Sequence, residues 1–183
     1  MDAKQIEQIL RKLMPPTCAF LGVFSRDTLP RAIIRYPACY VTNTDKAREP
    51  GSHWVAVFMP SSSSLEYFDS YGWLPDAYGL NVSPSHHNSK CLQSLGSNVC
   101  GQYCIYLLYR RSHGRSLTSI LKHFSSSNLR WNDFQVARWV RKHFAITNPK
   151  AYASFNCYGS TFKVGSNIQS CKSKSTCFCP AMA

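Results

Sequence analysis

The 183-residue sequence lacks any apolar run long enough to cross a bilayer: its longest, Tyr103 to Tyr109, falls far short of the roughly 20 residues a spanning helix needs. It opens on Met1-Asp2-Ala3-Lys4-Gln5, without the basic-then-apolar layout of a secretory leader, and it contains no internal repeat. Acidic side chains are scarce, nine against 21 Lys and Arg, for a net charge of +12. The cysteine count is nine, so complete pairing within the chain is impossible. These absences argue against a membrane span and against a disulfide-stapled secreted domain. They point to a reducing place: cytosol, nucleus or the inside of a particle.

What is present fits a globular domain. Hydrophobic residues make up 44% of the chain and aromatics 13%, enough for one sizeable core over residues 1–183. Asp2–Leu13 reads as an amphipathic helix, with Asp2 as cap, Ile6, Ile9, Leu10 and Leu13 on one face, and Pro15-Pro16 as its end. Residues 38–42 and 53–59 are rich in β-formers, and 65–69 follows the second after a serine turn, so the latter two form a hairpin. Residues 43–52 and 72–90 read as loops. Helices are expected over 100–111, over 117–124 behind a Ser116 cap, and over 132–144, where Val136, Val140 and Phe144 line one face. From about 147 to 183 a Ser-, Asn- and Lys-rich tail carries no clear period. Helix, then strands, then helices gives an α+β domain with a central, mostly antiparallel sheet.

One stretch carries chemistry. Ser97-Asn98-Val99 leads into Cys100-Gly101-Gln102-Tyr103-Cys104 at the start of a buried helix. A thiol at that position meets unpaired backbone N–H groups and the positive end of the helix dipole, which favour the nucleophilic thiolate. Gly101 would let a substrate backbone approach the sulfur. The alternative is an inert structural cysteine, a common fate for buried thiols.

A cysteine nucleophile needs a base, a group to orient it and donors for an oxyanion. Of six histidines, His53 alone opens a strand directly after a Gly-containing loop; by itself it also fits an edge histidine. Asp69, ending the partner strand, could orient that imidazole, or could merely cap the turn at Ser70-Tyr71-Gly72. Gln93 offers an amide donor, although a loop glutamine is usually solvated. Cys171, Cys177 and Cys179 with Cys157 are candidate zinc ligands, but the C-x-C spacing is tighter than zinc sites use and no His follows, so no metal is expected. Arg110, Arg111, Arg115, Lys122, Arg130, Arg138, Arg141 and Lys142 concentrate charge in the second half, as salt-sensitive phosphate binding would require.

Gly51-Ser52-His53-Trp54-Val55-Ala56, Tyr67-Phe68-Asp69-Ser70-Tyr71-Gly72, Gln93 and the Cys100–Cys104 block together resemble the adenovirus endopeptidase (adenain) family, as does the lead-in from Asn43-Thr44 to Pro50-Gly51. The resemblance runs from residue 18 to residue 110 and stops near 112. It implies a cysteine protease with Cys100 as nucleophile, His53 as base, Asp69 as orienting acid, Gln93 in the oxyanion hole, and Trp54 in the wall of the cleft. It also implies the α+β fold shared with ubiquitin-like-protein proteases, with the nucleophile at a helix N-terminus. Substrates would be viral precursor proteins cut at Gly-containing sites, in the virion and the host nucleus. DNA and a short viral peptide would be activators of a monomeric enzyme needing no small-molecule cofactor. The family usually carries Glu where this chain has Asp69, and no residue here aligns with its peptide-linking cysteine. Two other readings stay open: a SUMO- or ubiquitin-like-protein deconjugase, which shares the same residue order, and a non-enzymatic basic nucleic-acid-binding core protein.

Overall fold

The computed structural model describes residues 1–147, with side chains to residue 144. The tail, with Cys157, Cys171, Cys177 and Cys179, lies outside them. Helix α1 (Ala3–Leu13) begins on a reciprocal capping box, in which the Gln5 N–H donates to the Asp2 carboxylate at 2.8 Å and the Asp2 N–H donates to the Gln5 amide oxygen at 3.1 Å. Its Ile6, Ile9 and Leu10 are fully buried, on the face that the spacing predicts.

Five strands follow: β1 (Ala19–Phe24), β2 (Ala38–Asn43), β3 (Trp54–Ser61), β4 (Ser64–Phe68) and the short β5 (His86–His87). They lie in chain order within one sheet. The β2/β3 and β3/β4 pairs are antiparallel, whereas β1/β2 and β4/β5 are parallel. The sheet is therefore mixed rather than mostly antiparallel. The reason lies in the connections: residues 25–37 and 69–85 are long enough to bring the chain back to the same end before it pairs. Strand β1 had no clear signature because Gly22, at φ 130°, interrupts it, and the register with β2 shifts there between Phe20 and Val23.

Both faces of the sheet are covered. Cys39, Val41, Ala56, Phe58 and Phe68 point to a core shared with α1, α2 (Cys100–Ser112), α3 (Leu117–Leu121) and α4 (Leu129–Thr147). The alternate residues Tyr40, Val55, Val57, Met59 and Tyr67 pack under Leu80 and under Leu29, Ile33 and Tyr36 of the β1–β2 connection. Helix α4 starts earlier than its apolar period suggests because Asn128 accepts the Trp131 N–H at 3.1 Å and so serves as a cap. Among the described residues no helix is long and apolar enough to cross a membrane.

Candidate active site

The β3–β4 hairpin sets His53 and Asp69 side by side. His53 immediately precedes β3, Asp69 immediately follows β4, and the register Ala56 opposite Phe68 aligns those ends. His53 Nε2 lies 2.6 Å from Asp69 Oδ1, with both side chains buried. The other ring nitrogen is left for Cys100, whose sulfur is near enough for each group to shift the other's pKa. Cys100 is the first residue of α2, which crosses beneath β3. No side chain caps that helix, so its leading N–H groups remain available, and that of Gly101 is near enough to favour the thiolate.

The loop ahead of His53 is knitted by residues of the family-like segment. Asn43 Oδ1 accepts the Asp45 N–H at 2.9 Å and the Ser52 N–H at 3.3 Å, and the Thr44 N–H donates to the His53 carbonyl at 2.9 Å. Gly51 sits at φ 86°, where a Cβ would come 3.2 Å from the Asn43 amide nitrogen. The sequence puts His53 on this loop–strand junction, and the loop is built to hold it there.

Asp69 is the most heavily anchored side chain of the group. Oδ1 also accepts the Tyr71 N–H at 2.9 Å, while Oδ2 accepts the Trp73 N–H at 3.0 Å and the Tyr78 hydroxyl at 2.8 Å. Tyr71 stacks on the His53 ring with centroids 4.8 Å apart, and Trp73 stacks on Tyr78 at 5.7 Å. Trp73 and Tyr78 escaped sequence reasoning because residues 72–90 read only as a loop, and Tyr71 read only as part of the turn after Asp69. In fact Pro75–Tyr78 forms a 3-10 turn that aims the Tyr78 hydroxyl back at Asp69. A carboxylate held by four donors cannot rotate away from the imidazole.

Electrostatics favour a charged pair. Burial works against imidazolium at His53, but Asp69 and Cys100 together outweigh it and raise its pKa from 6.5 to about 9. Burial likewise opposes the Cys100 thiolate, yet His53 and the N–H groups of Trp54 and Gly101 bring the thiol below its ordinary 9.0. Both shifts favour the thiolate–imidazolium form of the pair over the neutral one. Because the folded His53 pKa is raised, the stability it contributes is full below pH 6.5 and lost as pH climbs through about 9. Any reaction needing that imidazolium proton should show an alkaline limb near pH 9. In Asp69→Asn the limb moves to lower pH, and an unmoved limb would show that Asp69 does not govern His53.

Gln93 is fully buried rather than solvated. Its Oε1 accepts the Ser70 hydroxyl at 2.7 Å, and its Nε2 donates to the Ser97 carbonyl at 2.7 Å and to the Tyr71 hydroxyl at 3.3 Å. The amide is thus oriented, with one firm and one longer donor bond. The Trp54 indole N–H donates to the Met1 carbonyl at 3.1 Å, and the ring borders a cleft of about 720 Å³ together with Met1, Val23, Phe24 and Gly51.

Gly101 is a correction. It is buried against α1, where a Cβ would meet Ile6 Cδ1 at 3.0 Å and Met1 at 3.5 Å, so the missing side chain serves helix packing rather than substrate approach. Gly101→Ala should accordingly keep its chemistry and lose about 1 kcal/mol of stability. Ile6→Val, which deletes the struck methyl, should restore part of that in the double variant. Loss of activity with undiminished stability would reinstate the cleft role. The remaining histidines stand apart: His86, His87, His113 and His123 are exposed, and His143 stacks on Trp139. Of the basic residues, Arg111 is engaged elsewhere, with a bidentate pair to Glu66 at 2.6 and 2.8 Å and its guanidinium over Phe58. Arg115, Lys122, Arg130, Arg138, Arg141 and Lys142 are exposed.

No protein-family model matches the chain. A protein named Protease from snake adenovirus serotype 1 is 27% identical to it over 112 residues, covering 50% of this chain and 52% of that protein. The chain thus matches about half the length of this relative. The similarity supports a distant relationship to an adenovirus protease, and the α+β scaffold described above is compatible with one.

Proposed function

We propose that the chain is a cysteine endopeptidase of the adenovirus-protease kind, which cleaves viral precursor proteins at Gly-containing sites during particle maturation. The observation that carries this reading is His53 standing between the Asp69 carboxylate and the Cys100 sulfur at the start of α2. The relative named Protease adds independent support for viral peptidase activity.

The chemistry follows from these positions. The Cys100 thiolate attacks the scissile carbonyl carbon, and the carbonyl electrons move to oxygen. Gln93 Nε2 exchanges its longer bond to Tyr71 for that oxyanion, assisted by the uncapped N–H groups of α2. The tetrahedral centre collapses, the C–N bond breaks, and His53 gives its proton to the leaving amine. Asp69 holds the ring in place throughout. Water then donates a proton to neutral His53 and attacks the thioester; the acid leaves and the thiolate returns. Trp54, next in sequence to His53, would contact the substrate from the cleft it borders.

The exposed cations of α4 and of the connections that flank α3 suit DNA as a salt-sensitive partner, and a short viral peptide is a second proposed activator. We place the monomeric enzyme in the virion and host nucleus, without a small-molecule cofactor. A second reading, the ubiquitin-like-protein deconjugase, is favoured by one observation: the third member is Asp69 rather than Glu. Hydrolysis of a Leu-x-Gly-x-Gly reporter and of a SUMO carboxy-terminal fusion, each with and without duplex DNA, separates the two. Reporter cleavage that rises with DNA, and declines as salt is added, is the expected result. Preferential cleavage of the fusion, indifferent to DNA, would favour the deconjugase, and cleavage of neither would leave a basic binding protein.

A further inference from the structure

We propose that Asp133 on α4, with Asn132 beside it, is a positioning residue for Gln93, so that the oxyanion donor is set from a helix some 40 residues further along the chain. This rests on the protease reading above. Gln93 lies in the connection between β5 and α2, and both of its chain neighbours are clamped to α4. On one side, the Leu92 carbonyl accepts Asn132 Nδ2 at 3.0 Å and the Tyr103 hydroxyl at 2.8 Å. On the other, Asp133 Oδ2 accepts the Ser94 N–H at 3.2 Å and the Ser94 hydroxyl in a short bond. The Tyr103 oxygen also lies 3.0 Å from Asp133 Oδ1, so its one proton is shared between that carboxylate and Leu92.

Between these clamps the Gln93 N–H is tied to the Ser70 carbonyl at 3.1 Å, and Leu95 beyond them is 76% exposed. The two clamps therefore bracket the residue that must point accurately. Asn132 is fully buried and Asp133 nearly so, and among the described residues no cation pairs with the Asp133 carboxylate. Burying an acid without a cation is unfavourable unless its hydrogen bonds are filled, and here the loop and Tyr103 fill them. Without Asp133, Ser94 is released, and the Gln93 amide is misaimed by a fraction of an ångström while the His53–Cys100 pair is untouched.

The test separates two reactions of the same sulfur in the full chain. Hydrolysis of the Leu-x-Gly-x-Gly reporter develops an oxyanion; alkylation of Cys100 by iodoacetamide needs only the thiolate. Asp133→Asn should lower reporter kcat about tenfold, a fraction of the loss expected for removing an oxyanion donor outright, with KM little changed. Its alkylation rate and the pH profile of alkylation should match wild type. Combined with Gln93→Ala, it should slow hydrolysis no further than Gln93→Ala alone. Should Asp133→Asn fold poorly, Ser94→Ala removes only the hydroxyl donor and should move kcat in the same direction by about threefold. Unchanged hydrolysis in both variants, a parallel loss of alkylation, or an additive double variant would overturn the positioning role. Wild-type protein that alkylates at Cys100 yet cleaves no reporter would overturn the protease reading and this proposal with it.

Discussion

Replacing Cys100 with alanine is expected to remove peptide hydrolysis altogether, a fall of at least about 10⁴-fold, because nothing else in the site can form the acyl intermediate. The fold should survive. Alanine is a favourable residue at the start of a helix, and the sulfur is not the anchor of α2, which is buried through Tyr103, Cys104, Ile105, Leu107 and Leu108. Thermal unfolding should therefore place the variant within about 1 kcal/mol of wild type. The loss should also be visible on the histidine. With the thiolate gone, only Asp69 continues to raise His53, so the imidazole pKa should drop from about 9. Titration of the His53 ring by NMR measures this directly. A pKa unaffected by the substitution would mean that Cys100 and His53 are not coupled.

The second large effect belongs to Asp69, and it divides between stability and rate. Asp69→Ala removes the acceptor for the Tyr71 and Trp73 N–H groups, the Tyr78 hydroxyl and His53 together. Leaving buried donors unpaired costs about 1–3 kcal/mol each, partly relieved by water, so a total loss of roughly 3–5 kcal/mol is expected. Urea unfolding at pH 7 checks it. A loss under about 1 kcal/mol would mean that the four bonds are not sustained in solution. Asp69→Asn keeps the shape and one acceptor oxygen, and isolates the orienting role. It should retain about a hundredfold more hydrolysis than Cys100→Ala, since orientation is damaged while the nucleophile remains. Equal losses in the two variants would give Asp69 a direct part in proton transfer, contrary to the role assigned to it.

The grouping of His53, Asp69 and Cys100 was legible in the sequence because these residues sit at the ends of strongly patterned elements. His53 and Asp69 terminate two β-rich runs joined by a serine turn, so a hairpin forces them together. Cys100 stands where polar residues give way to a buried helix, and α2 begins there. Gly101 was misread because its helix neighbour α1 is distant in sequence; only the three-dimensional packing puts Ile6 against it. Tyr78, Trp73 and Asp133 were missed for a related reason. They act through hydrogen bonds across loops or from α4, and residue spacing does not encode such contacts. One sign was available for the last: Asp133 precedes Val136 and Val140 by three and seven residues, so a carboxylate occupies the apolar stripe of its helix. A charge on a buried stripe signals a specific partner, here Ser94 and Tyr103. The mixed sheet and β1 were hidden by Gly22 and by connections whose length, not composition, decides strand direction.

The claim that Cys100 is a nucleophile activated by His53 is tested most directly by intact-mass labelling with a peptide vinyl sulfone ending in Leu-x-Gly-Gly. Wild type, Cys100→Ala and His53→Ala are compared under the same conditions. A single adduct on wild type, absent from Cys100→Ala and strongly reduced in His53→Ala, is the predicted result. Adducts distributed over several cysteines, with yields indifferent to both substitutions, would contradict it and leave Cys100 an ordinary thiol.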